Sequence, residues 1–171
     1  MFMKTQTEVW LRGEKIPGLA LQLQPAADAL LQAKEELQGL LNGFPDALLW
    51  ERPAGVASVG FHLKHIAGFL DRLLTYAEGN ALTKQQLETL KSEIAVQPLS
   101  LKQLLENAVA AIDQTISRYK NFPEAVLTEA RKVGRAGLPS TVIGLCFHAA
   151  EHTMRHTGQL LVTTAVLKGR S

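Results

Sequence analysis

Apolar residues recur at intervals of three and four positions in four long segments of this chain, and prolines and glycines separate the segments. Such spacing places the apolar side chains on one face of an α-helix. The pattern predicts four long helices and one short helix, over residues 25–41, 59–77, 83–94, 101–119 and 140–167. Ser58 and Ser100 are the predicted N-caps of the second and third long helices.

The remaining sequence offers almost no support for strands, because no stretch alternates apolar and polar residues over enough positions. The predicted fold class is therefore all-α. Four amphipathic helices bury their apolar faces most economically against one another, which predicts a four-helix bundle. The 171 residues are predicted to form a single domain, 1–171. Its first part, residues 1–22, contains Gly13, Pro17 and Gly18 and is predicted to be an irregular lead-in.

The composition excludes several classes of protein. The formal net charge of +2 is too small to create the basic field that nucleic-acid binding depends on. Cys146 is the only cysteine, so no internal disulfide can form, and we expect a buried, apolar thiol. Lys4, Glu8 and Arg12 interrupt the N-terminus, and no later stretch approaches the roughly 20 apolar residues that cross a bilayer. We therefore expect a cytoplasmic protein without nucleic-acid or membrane partners.

All five histidines fall in two windows of the sequence, His62 and His65 on the second long helix and His148, His152 and His156 on the fourth. Neutral imidazole is the commonest metal ligand in proteins, and the cores of helix bundles are natural metal sites. Two histidine clusters on helices that share a core therefore predict a site for one divalent metal ion.

Helix geometry narrows the ligands on the fourth long helix. Two histidines four positions apart can converge on one ion, whereas His148 and His156 are separated by about 12 Å along the helix axis. On a helical wheel, His156 lies near the centre of the apolar face, His152 lies within it, and His148 lies toward its flank. We therefore predict that His152 and His156 are the ligand pair and that His148 is half-exposed or acts indirectly.

Helix geometry does not decide which histidine of the second long helix is the ligand. Its apolar stripe lies closer to His62 than to His65, so the wheel alone favours His62. A ligand at one end of a bundle need not point along the middle of the stripe, and both positions stay open on this argument.

Two sequence segments resemble a known family. Residues 58–68, SVGFHLKHIAG, and residues 148–159, HAAEHTMRHTGQ, are similar to the two signature segments of the DinB/YfiT-like superfamily. Trp50 and the run Val133-Gly134-Arg135 add to the similarity, which covers most of the chain. The resemblance implies an up-down-down-up four-helix bundle. It also implies that zinc or nickel is bound by one histidine of the second helix and an H-x-x-x-H pair of the last, which correspond to His65, His152 and His156. The resemblance implies no role for His62 or His148.

Three neutral histidines leave the charge of a divalent ion uncompensated and one coordination position open, which is typical of catalytic rather than structural sites. The resemblance implies a metal-dependent transferase that uses a low-molecular-weight thiol, takes a small-molecule substrate and forms a homodimer. A metal-dependent hydrolase is an alternative, and a non-catalytic metal-binding or stress-response interaction module is another. A small-ligand carrier is a weaker third.

The sequence gives only weak evidence for the roles of other charged and polar residues. The basic loop of Arg131, Lys132 and Arg135 could bind the carboxylates of a thiol cofactor, although a solvated loop is the favoured interpretation. Glu151 and Gln159 flank the histidines, and neither is identified as a general base.

Overall fold

A computed structural model describes residues 7–169 of the chain. It contains the helices α1 (Gln24–Leu40), α2 (Val59–Ala77), α3 (Lys84–Ser92), α4 (Leu101–Tyr119) and α5 (Val142–Lys168) and the strands β1 (Ala130–Val133) and β2 (Leu138–Thr141). The four predicted long helices and the short helix between the second and third of them are confirmed. Among the described residues, none of the helices combines the length and the apolar character needed to cross a bilayer.

The predicted caps of α2 and α4 are also confirmed. The hydroxyl of Ser58 accepts a hydrogen bond from the backbone N–H of Phe61, and that of Ser100 accepts one from the N–H of Gln103. The short α3 begins in the same way, with Thr83 as its N-cap. Each cap satisfies backbone donors that the first turn of a helix leaves without a partner, so these residues determine where the helices begin.

One part of the fold was not predicted. Residues 130–133 and 138–141 form a short antiparallel hairpin, so the last helix begins two residues after its predicted start near Ser140. Helix α5 begins at Val142, and the side chain of Thr141 accepts a hydrogen bond from the N–H of Gly144. Strands of four residues are too short to show a clear alternation of apolar and polar positions, which explains why the pattern did not reveal them.

The bundle has the predicted up-down-down-up order. Arg118 near the end of α4 bonds to Glu78 at the end of α2, so these two helices run in parallel. Contacts of His62 with His156 and of His65 with His152 show that α2 and α5 are antiparallel. The side chain of Lys168 reaches the carbonyl of Leu40, so α1 and α5 end on the same side. Helices α1 and α2 each pack against both α4 and α5 and so occupy opposite corners.

The core lies where the apolar stripes of the four long helices meet. The apolar residues that recur at intervals of three and four positions in α2 are all buried, namely Val59, Leu63, Ile66, Leu70, Leu73 and Ala77. The fully buried Tyr119 of α4 donates a hydrogen bond of 2.7 Å to the carbonyl of Cys146 on α5. Burial raises the pKa of the Cys146 thiol to about 12, so this cysteine is an inert core residue, as predicted.

The described part of the lead-in packs along α1. Val9 is buried, and the guanidinium of Arg12 forms two hydrogen bonds, of 2.7 and 2.6 Å, with the carboxylate of Glu35. Residues 1–6 of the predicted lead-in lie outside the described residues.

Candidate metal centre

Three histidine side chains meet between α2 and α5. The Nε2 atom of His152 lies 3.0 Å from Nε2 of His65 and 3.0 Å from Nε2 of His156. His152 and His156 come from consecutive turns of α5, and His65 reaches them from the antiparallel α2. The structure thus brings together the three residues predicted as metal ligands, with the same nitrogen atom of each ring at the meeting point.

The spacing and chemistry of this set fit a divalent ion. Bonds of about 2.0–2.1 Å from one metal to two imidazoles require nitrogen atoms about 3.0–3.4 Å apart, depending on the bond angle. The observed separations of 3.0 Å lie at the short end of that range. Neutral imidazole is a borderline ligand that suits zinc, nickel, copper and iron, so the donors favour a first-row transition metal. That the three residues bind a metal stays a prediction.

The electrostatics of the centre keep its ligands neutral. Burial and the neighbouring His65 lower the pKa of His152 to about 4 and that of His156 to about 3. Both rings are therefore unprotonated at neutral pH, and each retains a nitrogen lone pair that a metal can accept. Only strongly acidic conditions would make protons compete with a metal for these two side chains.

The buried carboxylate of Glu93 contacts Nδ1 of His65, the ring nitrogen that does not face the other histidines. Glu93, which directly follows α3, lies 2.8 Å from Nδ1 of His65 through Oε2 and accepts a 2.6 Å hydrogen bond from Arg72 through Oε1. Burial by itself would raise the pKa of Glu93, but the hydrogen bonds from His65 and Arg72 outweigh it and hold the pKa below its ordinary value. An ionised carboxylate only accepts hydrogen bonds, so Nδ1 of His65 carries the hydrogen and Nε2 presents its lone pair to the other histidines.

Gly68 explains how Glu93 reaches this position. A Cβ atom at residue 68 would lie 2.5 Å from Oε1 of Glu93 and 2.7 Å from Nη1 of Arg72. Glycine therefore leaves the space that the buried ion pair occupies. Glu93 was not predicted from the sequence, where the available signal was indirect. His65 and Arg72 are seven positions apart and share a helix face, so a buried Arg72 required an acceptor nearby.

His62 contacts the ring of His156 on the side away from the other two histidines. It is buried, and its Nδ1 lies 2.7 Å from Nδ1 of His156. Burial and the nearby His65 lower the pKa of His62 to about 4, so the pair shares a hydrogen bond between neutral rings. The wheel correctly indicated that His62 is the more deeply buried histidine of α2. Its contact is with the nitrogen of His156 that does not face the other ligands, and this contact orients the ring of His156.

His148 lies at the edge of the centre, with its ring centroid 5.5 Å from that of His152. Its side chain is 44% exposed and its Nδ1 lies 2.7 Å from Oε1 of Glu151, which confirms the half-exposed position predicted from the wheel. His148, Glu151 and His152 also bring possible ligand atoms within 4.8 Å of one another. However, the other carboxylate oxygen of Glu151 already pairs with Arg155, and this group is more open to water than the three meeting histidines.

Aromatic rings shield the centre, and a groove lies beside it. Phe61 stacks on His65 with ring centroids 5.4 Å apart, and the ring of Phe69 lies 4.0 Å from that of His152. These rings reduce the access of water and so strengthen electrostatic interactions inside. The groove, of ≈ 480 Å³, is lined by Val56, Ala57, His62, Arg155, Gly158, Gln159, Val162 and Thr163. It gives a small molecule a place next to the His62–His156 pair.

Trp50 positions the start of α2. Its ring packs against Gly60, where a Cβ atom would lie only 2.7 Å from the ring, and the carbonyl of the adjacent Leu49 accepts a 2.8 Å hydrogen bond from the N–H of Gly60. Glycine is required here for close packing, which helps to fix the helix turn that carries His62 and His65.

The basic loop lies far from the histidines. Arg131 donates a 2.8 Å hydrogen bond to the carbonyl of Ala77, the last residue of α2. Ala77 is twelve residues beyond His65, or about 18 Å along the helix. Lys132 and Arg135 are exposed. Lys132 and Arg135 therefore agree with the favoured solvated interpretation, whereas the side chain of Arg131 is only 17% exposed and contacts the end of α2.

Comparisons with known proteins agree with this fold. The family model of the DinB superfamily matches residues 29–160, which include all five histidines. A crystal structure of a protein from Streptococcus pneumoniae, determined by a structural genomics consortium, superposes with a TM-score of 0.63 and 16% sequence identity, covering 88% of this chain and 93% of that chain. At this identity the likeness concerns the fold alone. No curated protein matches the sequence.

Proposed function

This chain belongs to the DinB superfamily, and from that membership and the geometry of the histidines we propose that it binds one divalent metal ion, zinc or nickel, through His65, His152 and His156. We further propose that the ion serves a transfer reaction between a low-molecular-weight thiol and a small-molecule substrate. The observation that carries the proposal is the convergence of three Nε2 atoms, each from a buried or half-buried ring, at one point between α2 and α5.

The surrounding residues support a reactive rather than a structural centre. The three imidazoles bring no negative charge, so the site favours an anionic group as a further partner. When bound, the ion supplies a positive charge that lowers the pKa of a thiol and stabilises the thiolate. Glu93 and His62 orient the rings of His65 and His156, and Phe61 and Phe69 limit the access of water.

The two carboxylates that contact histidines in the described residues are both engaged in ion pairs, and this favours thiol transfer over hydrolysis. Glu93 is engaged by both His65 and Arg72, and Glu151 is engaged by His148 and Arg155. Hydrolysis by a water molecule gains from a general base, whereas a thiol is acidic enough to ionise without one. A metal-dependent hydrolase and a non-catalytic metal-binding module remain the alternatives that the experiment must separate.

The first experiment measures metal binding. The metal is removed from purified wild-type protein with a chelator. Separate samples are then titrated with zinc and with nickel, and their metal content is measured after desalting. We expect one ion per chain in the wild type and none retained in His152→Ala. His148→Ala is the matched control, because it removes a histidine four positions earlier on the same helix and should retain the ion. Wild-type protein that binds neither metal would refute the proposal.

The second experiment separates catalysis from binding alone. The metal-loaded protein is incubated with a panel of low-molecular-weight thiols and a halogenated aromatic electrophile, and the loss of free thiol is followed. A separate sample is incubated with an activated ester, and ester cleavage is followed. Metal-dependent turnover that is lost in His152→Ala supports a transferase. Retained metal without turnover of thiols, but with ester cleavage, supports a hydrolase, and no turnover of either kind supports the non-catalytic module.

We also propose that the chain forms a homodimer. Helix α5 exposes Leu161, Val162 and Val166 near one another, and apolar side chains clustered on one helix favour association. Light scattering after gel filtration should give twice the mass of one chain, and a monomer at all concentrations would contradict this part of the proposal.

A further inference from the structure

The segment that carries Glu93 is bound to the bundle in an unusual way. Residues 83–97, named here the α3 segment, contain only one buried residue, which is Glu93 itself. The larger apolar side chains of this segment are exposed, namely Leu87, Leu90, Ile94 and Val96. Leu87 and Leu90 are only 37% and 44% exposed, but no apolar side chain of the α3 segment is fully buried. Burial of apolar surface therefore contributes less to the docking of the α3 segment than to the packing of the long helices.

Polar contacts with α2 also hold the α3 segment. Near its start, the side-chain amide of Gln86 donates to Asp71 and Thr75, at 2.7 Å each. Near its end, the ammonium of Lys64 donates to the carbonyls of Ser92 and Ala95, also at 2.7 Å each.

The third contact is that of Glu93 with His65 and Arg72, and among these contacts it alone includes a proposed metal ligand. Because Lys64 and His65 are neighbours in sequence, the end of the α3 segment is held at the turn of α2 that enters the metal centre.

We propose that docking of the α3 segment and occupancy of the metal centre are coupled through Glu93, which acts as a positioning residue for His65. This inference rests on the proposed metal binding. It adds that metal release loosens residues 83–97 and that loss of Glu93 weakens metal binding. The segment would then respond to metal although none of its residues except Glu93 contacts a proposed ligand.

The physical basis is the position of one hydrogen on His65. A neutral imidazole carries a hydrogen on either Nδ1 or Nε2. A metal on Nε2 leaves the hydrogen on Nδ1, where it is donated to Glu93. Without the metal, only the contact with Glu93 keeps the hydrogen on Nδ1, because the other tautomer would leave Nδ1 with a lone pair facing a carboxylate that cannot donate. By thermodynamic linkage, each event strengthens the other by the same factor.

The test measures hydrogen exchange of the full-length protein by mass spectrometry, with the metal removed by a chelator and with saturating zinc. We expect zinc to slow amide exchange several-fold in peptides that cover residues 83–97. In Glu93→Ala, zinc should still bind with roughly 10- to 100-fold lower affinity, and the zinc-dependent protection of these peptides should disappear.

Matched variants distinguish coupling from general destabilisation. Glu88→Ala removes an exposed carboxylate of α3 and should leave both zinc affinity and zinc-dependent protection unchanged. Glu93→Gln keeps an acceptor for Nδ1–H and should restore part of the protection. Gly68→Ala displaces Glu93 from the side of α2 without changing any charge, and should reproduce the effect of Glu93→Ala.

Zinc binding tests the metal-binding proposal, and hydrogen exchange tests the coupling, so the failure of one can be distinguished from the failure of the other. Wild-type protein that does not bind zinc overturns the metal-binding proposal. Zinc that binds without any change of exchange in residues 83–97 overturns the coupling and leaves the metal-binding proposal intact. Full zinc-dependent protection in both Glu93→Ala and Gly68→Ala would also overturn the coupling.

Discussion

Two polar clusters lie against α2, and they differ in their access to water. In the first, Arg72 and Glu93 meet His65, and the side chains of the ion pair are only 8% and 5% exposed. In the second, Arg118 of α4 bonds to Asp71 and Glu78, whose side chains are 53% and 33% exposed. Both clusters pair an arginine with a carboxylate at a similar distance, and only the first includes a histidine. We name them the buried cluster and the surface cluster.

The difference in exposure determines what each cluster can do. Charges taken out of water interact strongly, shift the pKa values of their neighbours and need partners for each polar atom. Charges at the surface are screened, and water replaces a lost partner at little cost. The buried cluster can therefore hold a histidine in one orientation, whereas the surface cluster mainly joins two helices.

The largest effect is expected from the buried ion pair. Arg72→Ala leaves the carboxylate of Glu93 buried with only His65 as a partner, and should lower the free energy of unfolding by about 3–5 kcal/mol. Urea denaturation of the metal-free protein measures it. The double variant Arg72→Met/Glu93→Leu should recover part of the loss, because no unpaired charge stays buried. A loss below about 1 kcal/mol in Arg72→Ala would mean that the two clusters do not differ.

A smaller loss of folding free energy is expected from the titration of His62 alone. The pKa of His62 is 6.5 when unfolded and about 4 when folded, so below pH 6.5 the unfolded chain binds a proton that the folded chain excludes. Stability is therefore fully present above pH 6.5 and falls as the pH is lowered toward 4. At pH 5 the contribution of His62 to the loss is about 2 kcal/mol. His152 and His156 act in the same direction.

Urea denaturation of the metal-free protein at pH 7.5 and pH 5 measures this acid effect. His62→Phe should show a smaller difference between the two pH values than the wild type, because its ring does not titrate. Equal differences in the two proteins would show that the environment of His62 does not exclude the proton.

The smallest effect is expected from the surface cluster. Arg118→Ala should lower the free energy of unfolding by about 1 kcal/mol or less, and the loss should shrink as salt is added. The same denaturation series at low and high ionic strength measures both features. A salt-independent loss of several kcal/mol would place Arg118 with the buried cluster and would remove the contrast between the two.

The sequence predicted the fold better than it predicted the site. Helix positions, the caps Ser58 and Ser100, and the close approach of His152 and His156 follow from short-range rules of backbone geometry. The hairpin was missed because its four-residue strands carry no readable period. Glu93 was missed because it lies 28 residues from His65 in sequence, and nothing in the intervening pattern indicates that the two side chains meet.

By itself, the sequence determined which segments are helical, which faces are apolar and which two helices carry the histidines, because each of these properties depends on neighbours within a few residues. Only the tertiary structure decided that His65 faces His152 while His62 contacts His156. It also decided that Glu93 contacts the Nδ1 atom of His65. These contacts depend on how helices dock across the bundle. A rotation of α2 by a few tens of degrees would exchange the roles of its two histidines without changing any local pattern.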